Sequence, residues 1–148
     1  MYIPISKTIL KKKDITSVSK TLESGWLVQG KNVREFENEF CNYTNAKHSI
    51  AVTSCTTALY LSLVATNFSR NDEAIVPAFT WISTANVVEH LGGKVKFCDI
   101  DIKTFNIDED KLESCITKKT KVIIIVHLFG LSANVDKIMK IAKKYNLH

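Results

Sequence analysis

A hydroxyl-rich stretch at residues 54–57, Ser-Cys-Thr-Thr, has the residue types best suited to binding chemistry. The short apolar segment before it, residues 49–53, predicts a buried strand, and the apolar run 58–64 predicts a largely buried helix capped by Thr56 or Thr57. The first amide groups of a helix lack internal partners and lie at the positive end of its dipole. The turn therefore suits a phosphate, although any turn from strand to helix also uses such hydroxyls as caps.

Two more side chains of chemical interest follow predicted strands. Trp81 lies in a loop after the short strand 73–77, which Pro77 ends. Its ring could lie flat against a planar ligand or anchor the core, and the sequence does not separate these alternatives. His127 ends the β-branched run 121–127, which predicts a strand buried on both faces. As a lone histidine, it is assigned a structural role.

The elements that must position these residues can be predicted from periodicity and turn residues. Strands are expected at 49–53, 73–77, 94–100 and 121–127, and helices at 11–24, 33–43, 58–64, between Trp81 and Gly92, after Asp108, and at 134–145. This alternation predicts an α/β fold with a parallel or mostly parallel sheet, in a single domain spanning 1–148. Ligands of such sheets bind beyond the carboxyl ends of the strands, so the three sites above are expected along one edge.

The segment between the first two predicted helices is Gly-Trp-Leu-Val-Gln-Gly, residues 25–30. Its two glycines favour a loop that approaches a ligand or partner closely, or a loop in which Trp26 fills a gap. Asn32 and Glu35 then resemble a capping box. The stripe that follows is predicted to be core: Val33, Phe36, Phe40 and Tyr43.

Composition narrows the class of protein. The net charge is +5, but the lysines are scattered apart from one short cluster at 11–13, and no aromatic residues are interleaved with them, which disfavours nucleic acid. No apolar run reaches the roughly 18 residues of a membrane span, and no signal peptide is recognised. The four cysteines lack zinc-like spacing and are expected to be reduced thiols in the cytoplasm. No GxGxxG motif follows a strand, which argues against a dinucleotide-binding domain.

Seven segments in order together resemble the DegT-type sugar aminotransferase family: GWLVQG, FENEF, SCTTALYLSL, NDEAIVPAFTWISTAN, GGKVKFCDID, TFNID and TKVIIIVHLFG. The resemblance implies the aspartate-aminotransferase fold (fold type I), pyridoxal 5′-phosphate as cofactor, and homodimers. It also implies transfer of an amino group, typically from glutamate, to a keto-sugar on a nucleotide carrier.

Individual site residues follow from the same resemblance. Ser54, Cys55 and Thr56 match the family's phosphate-binding Ser-Gly-Thr turn, with Cys55 in place of glycine. Trp81 matches the aromatic residue that stacks on the pyridine ring, and residues 25–30 match a segment near the substrate site and the dimer interface.

The family's Schiff-base lysine and pyridinium-pairing aspartate have no counterpart in this sequence. The resemblance places both after the HLFG segment and its helix. We therefore expect residues 1–148 to form a single partial domain, the N-terminal part of the large domain of an aminotransferase, and to be inactive alone. The apolar edge of its last strand predicts poor solubility. The alternative is a non-catalytic α/β remnant, or a module for ligand binding or interaction.

Overall fold

The computed structural model describes residues 3–4 and 6–148, and it confirms the α/β class. Within these residues the helices are α1 (Lys12–Glu23), α2 (Lys31–Thr44), α3 (Cys55–Ala65), α4 (Ser83–His90), α5 (Glu109–Leu112) and α6 (Val135–Tyr145). The strands are β1 (Glu73–Pro77), β2 (Lys94–Cys98) and β3 (Thr120–Ile123), and 3₁₀ turns occupy Glu113–Cys115 and Leu128–Gly130. No helix of the described part is long and apolar enough to cross a membrane.

The chain divides into two compact units, Met1–Ala51 and Val52–His148, and the first contains α1 and α2. Both helices form where periodicity predicts them, but neither has a buried residue among those described. Three of the four residues predicted as core in α2 are exposed instead, since Phe36 is 56%, Phe40 47% and Tyr43 90% accessible, and Val33 is half-buried. The rings of Phe36 and Phe40 lie near each other, with centroids 6.1 Å apart.

The start of α2 differs from the predicted capping box. The N-cap is Gly30, and Asn32 lies inside the helix, where its Nδ2 donates to Thr21 Oγ1 at 3.1 Å. A Cβ at position 30 would collide with the indole of Trp26, so glycine lets this ring lie against the helix start. Trp26 donates from Nε1 to Gln29 O at 3.3 Å and stays 62% exposed, so it does not fill an internal gap.

The predicted strand at 49–53 is wrong. The segment is irregular, Ile50 is 77% exposed, and the Ala51 N–H donates to the Glu37 carboxylate at 2.8 Å. A strand exists only where a neighbouring strand pairs with its backbone, and no described segment pairs here. The sheet of the described residues therefore has three strands, not four.

The second unit contains this sheet, with strand order β2-β1-β3 and all pairs parallel, as predicted. The central strand β1 alternates its side chains between two core clusters. Ala74 and Val76 face the cluster with α3 and α4, and Ile75 faces the cluster with α5 and α6; all three are inaccessible to solvent. Helices therefore cover both faces, which is typical of parallel sheets.

The last strand, β3, is shorter than predicted. After Ile123, only the Ile124 N–H continues the ladder, donating to Ile75 O at 2.9 Å. On the other edge of β3, the His148 N–H donates to Lys121 O at 3.0 Å, and the Ile123 N–H donates to His148 O at 2.8 Å. This is the hydrogen-bond pattern of a parallel pair, so His148 partners one position of the edge predicted to be open.

Candidate functional site

The candidate anion site is built at the beginning of α3. Ser54 is the N-cap, with extended backbone, and its Oγ accepts the Thr57 N–H at 3.1 Å. The prediction that Thr56 or Thr57 caps this helix is therefore wrong. Only a side chain at the extended position before the helix can accept the N–H of the third helical residue. Hydroxyl contacts of 3.0 Å from Ser54 to Thr57 and 3.3 Å from Thr53 to Thr57 complete the cluster.

Two amides at this helix start have no acceptor in the described part of the chain. Within the described residues, neither the Cys55 nor the Thr56 N–H takes part in a hydrogen bond. Cys55 is exposed and Thr56 half-buried. Cys55 is the first helical residue and is not among the residues with positive φ, so a cysteine is accommodated here without backbone strain. The arrangement offers two N–H donors at the positive end of a helix dipole.

The connection from α3 to β1 indicates where this helix start lies relative to the sheet. The end of α3 leads through a short turn to the beginning of β1, and Leu63 packs into the same cluster as Val76 and Val87. An eleven-residue helix and a five-residue strand are each about 16 Å long. Because the end of α3 leads back to the beginning of β1, we expect the beginning of α3 to lie level with the end of β1.

Trp81 lies at the same edge, in the loop that follows β1. Its side chain is 78% exposed, which rules out the core-anchor interpretation within the described residues. The loop around it is ordered by short-range bonds: the Thr84 N–H donates to Trp81 O at 3.0 Å, and the hydroxyls of Thr80 and Thr84 lie 3.2 Å apart. The indole therefore presents a free face beside the start of α4.

His127 follows β3 at this edge, and its ring makes a hydrogen bond within its own loop. Its Nδ1 accepts the Ala133 N–H at 3.0 Å, so a proton on the neutral ring belongs on Nε2. This contact supports the structural role assigned to it.

Asn106, which sequence reasoning missed, holds the same loop. It is 4% exposed, accepts the Leu128 N–H at 3.0 Å, and donates to Leu131 O at 3.0 Å. The sequence signals this role only through an asparagine in the polar turn before Ile107. Both bonds join residues more than 20 positions apart, so no local pattern predicts them.

A carboxylate at this edge is already paired. Asp99, just beyond β2, accepts from Lys111 Nζ at 2.8 Å. The hydrogen bond from Lys111, followed by that from the Ile100 N–H, lowers the pKa of Asp99. The same bond raises the pKa of Lys111. Both groups therefore remain charged at neutral pH, and the lysine compensates this negative charge at the edge that holds the candidate anion site.

Comparison with known proteins identifies the class to which these features belong. Residues 8–148 match the DegT/DnrJ/EryC1/StrS aminotransferase family, and this chain belongs to that family. It is 43% identical over 146 residues to the spore coat polysaccharide biosynthesis protein SpsC of Bacillus subtilis (strain 168). That alignment covers 99% of this chain and 38% of SpsC, so the chain spans less than two fifths of this relative.

Solved structures show the same fold. The putative sugar aminotransferase Spr1654 of Streptococcus pneumoniae, in its PLP and PMP forms, has a TM-score of 0.90 at 37% identity, over 96% of this chain and 36% of Spr1654. A GDP-4-keto-6-deoxymannose-3-dehydratase, solved with trapped PLP-glutamate, has a TM-score of 0.90 at 32% identity, over 99% of this chain and 39% of the dehydratase. The family resemblance and the fold expected from it are thus confirmed.

Proposed function

We propose that this chain binds the phosphate and the ring of pyridoxal 5′-phosphate in an aminotransferase that converts a nucleotide-linked keto-sugar to an amino-sugar. The observation that supports it most directly is the start of α3, where two amides have no acceptor among the described residues and lie beside a hydroxyl cluster. The exposed Trp81 follows β1, at whose end the start of α3 is expected. The family match and the similarity to Spr1654 favour amino transfer over the dehydration chemistry named for the other neighbour.

Each residue has a distinct proposed role. The N–H groups of Cys55 and Thr56 donate to phosphate oxygens, and the dipole of α3 stabilises the negative charge. The Thr56 hydroxyl adds a further donor, while Ser54 holds the turn through its bond to the Thr57 N–H. Trp81 covers one face of the cofactor ring and excludes water from it. When bound, the cofactor supplies the electron sink for amino transfer.

The remaining features of the proposal come from the family. We expect glutamate as amino donor, in line with the PLP-glutamate trapped in the related dehydratase. We also expect a homodimer, a cytoplasmic location, and a role in polysaccharide biosynthesis like that in the name of SpsC. The 148 residues by themselves are proposed not to catalyse transamination, because no lysine among them matches the family's catalytic position.

Calorimetric titration with pyridoxamine 5′-phosphate tests the cofactor site. This form carries an amine in place of the aldehyde, so it does not react with surface lysines. We expect weak binding that requires the phosphate, so that pyridoxamine without phosphate does not bind and inorganic phosphate competes. Thr56→Val removes one hydrogen bond to a charged group and should weaken binding about tenfold. Trp81→Ala should weaken it about two- to tenfold through lost stacking.

Matched controls come from α1 and α2. Thr16→Val removes an exposed helical threonine hydroxyl, and Tyr43→Ala removes an aromatic side chain that is 90% exposed. Neither should change the affinity. Equal binding of pyridoxamine with and without phosphate, or equal losses in the test and control variants, would contradict the proposed site.

A further inference from the structure

Two thiols meet at the end of β2. Cys98 closes the strand with a fully buried side chain, and its Sγ lies 3.6 Å from Asp108 O. Cys115 ends the 3₁₀ turn Glu113–Cys115, is partly exposed, and has its Sγ 3.8 Å from the carbonyl oxygen of Phe97, the residue before Cys98. Both side chains pack into the cluster around Ile75. The Cys115 thiol lies within hydrogen-bonding reach of the Cys98 thiol, so the two sulfurs are neighbours, one buried and one partly exposed.

We propose that Cys98 and Cys115 form a redox-sensitive dithiol, which a peroxide oxidises to an intramolecular disulfide. In the first step, Cys115 Sγ attacks one oxygen of the peroxide, the O–O bond breaks, and hydrogen peroxide yields a sulfenic acid and one water. In the second step, Cys98 Sγ displaces the sulfenic hydroxyl, and a second water leaves with the remaining thiol proton. The two thiols lose two electrons, which the peroxide gains.

The environments of the two thiols set the order of these steps. Burial, together with the neighbouring Cys115, raises the pKa of Cys98 to about 12. Cys98 therefore remains protonated at neutral pH and does not react first, because the thiolate is the nucleophile. Cys115 is the thiol that a solvent-borne oxidant reaches. The second step is expected to be the slower one, so the sulfenic acid at Cys115 should accumulate briefly.

The proposed disulfide spans the segment that holds the site loop. Residues 99–114 lie between the two cysteines and include Asn106, whose amide binds Leu128 and Leu131. Oxidation would link the end of this segment covalently to the end of β2. The other two cysteines do not share this arrangement: Cys41 belongs to the first unit, and Cys55 is exposed at the start of α3.

The test oxidises the full chain with hydrogen peroxide at neutral pH, alkylates free thiols, and maps peptides without reduction. We expect loss of two of the four free thiols, a mass decrease of about 2 Da before alkylation, and a Cys98–Cys115 cross-link more abundant than every other pairing. A sulfenic-acid trap added early should label Cys115. The cross-link should persist in Cys41→Ser and vanish in Cys115→Ser, which replaces a partly exposed side chain.

Peroxide treatment of the guanidinium-unfolded chain provides the second control. There the preference for Cys98–Cys115 should disappear, because it depends on the fold. Three results would overturn the proposal: dominant cross-links through Cys41 or Cys55, overoxidation of Cys115 without a cross-link, or four intact thiols after treatment.

Discussion

At the scale of single residues, a few polar side chains hold the turns of the second unit. Asp72 precedes β1 and accepts three hydrogen bonds at Oδ2: from Ser69 N–H at 2.7 Å, from Ser69 Oγ at 3.0 Å, and from Lys121 Nζ at 3.3 Å. Burial raises the pKa of Asp72, but the bonds from Ser69 and Lys121 outweigh it, and the pKa lies below the ordinary value of 3.8. The charged carboxylate thus stabilises the native state.

This lowered pKa predicts how stability depends on pH. The contribution of Asp72 is present above the pKa of the unfolded chain and is lost as the pH falls through the lower folded value. Asp72→Asn should reduce the free energy of unfolding by about 1–2 kcal/mol at neutral pH, and this difference should shrink below about pH 4. Urea unfolding at neutral and acidic pH measures both values. Glu39→Gln is the control, and an equal pH dependence in the two variants would refute the role of Asp72.

Asn106 offers a second prediction at this scale. Asn106→Ala leaves the Leu128 N–H and Leu131 O without their buried partner and should cost about 2–3 kcal/mol of stability. Hydrogen exchange at the Leu128 amide should accelerate. Asn106→Asp keeps an acceptor for the Leu128 N–H but places a carboxylate oxygen against Leu131 O, so the Leu128 amide should exchange more slowly than in the alanine variant while the bond to Leu131 is lost. Unchanged exchange in Asn106→Ala would show that the loop is held by other contacts.

At the scale of elements, β1 holds the second unit together because it pairs with both other strands and faces both core clusters. Its hydrogen bonds are shared between β2 and β3, whereas each of those has only one partner strand among the described residues. The exposed ends of the sheet, including the loops with Trp81 and His127, depend on this strand for their positions.

Shortening a buried side chain of β1 should lower the free energy of unfolding far more than shortening an exposed side chain. Ile75 is fully buried, so Ile75→Ala should lose about 2–5 kcal/mol, and Ile75→Val about 0.5–1.5 kcal/mol. Ile102 is 76% exposed, and Ile102→Ala should change stability by less than about 0.5 kcal/mol. Chemical denaturation of the three variants gives these differences. Similar losses at positions 75 and 102 would contradict the described core.

At the scale of the whole molecule, much apolar surface is exposed. The apolar positions of α1 are more than half accessible (Ile15 56%, Val18 62%, Leu22 60%), and so is Phe36 of α2. Such contiguous apolar surface promotes association between copies. The poor solubility expected from the edge of β3 remains a prediction. His148 already pairs with part of that edge. The exposed helix faces therefore give the prediction a second physical basis.

Light scattering coupled to size exclusion tests this expectation. The chain should associate with rising concentration, and Val18→Lys with Phe36→Glu should reduce the association because charges replace exposed apolar side chains. Ser17→Lys with Asn38→Glu makes the same charge changes at exposed polar positions of the same two helices and should leave the association unchanged. A monodisperse wild-type monomer, or equal effects of the two double variants, would contradict the prediction.

The sequence by itself determined the local elements. The strand at 73–77, the stop at Gly92, the Asp108 cap and the helix ending at Tyr145 all lie where local patterns predict them, because period, capping and turn geometry depend on residues a few positions apart. The α/β class and the carboxyl-edge location of Trp81 and His127 follow from the same patterns, and the ordered motifs were enough for the family.

Only the tertiary structure decided which segments pair and which side chains meet. Residues 49–53 have strand-like composition but no partner, and the stripes of α1 and α2 have the right period but no described residue buries them. Even the cap of α3 depended on the extended backbone at Ser54. The contacts of Asn106 with the site loop and of Cys115 with the end of β2 join distant positions, and a sequence pattern has no signal for contacts that folding alone creates.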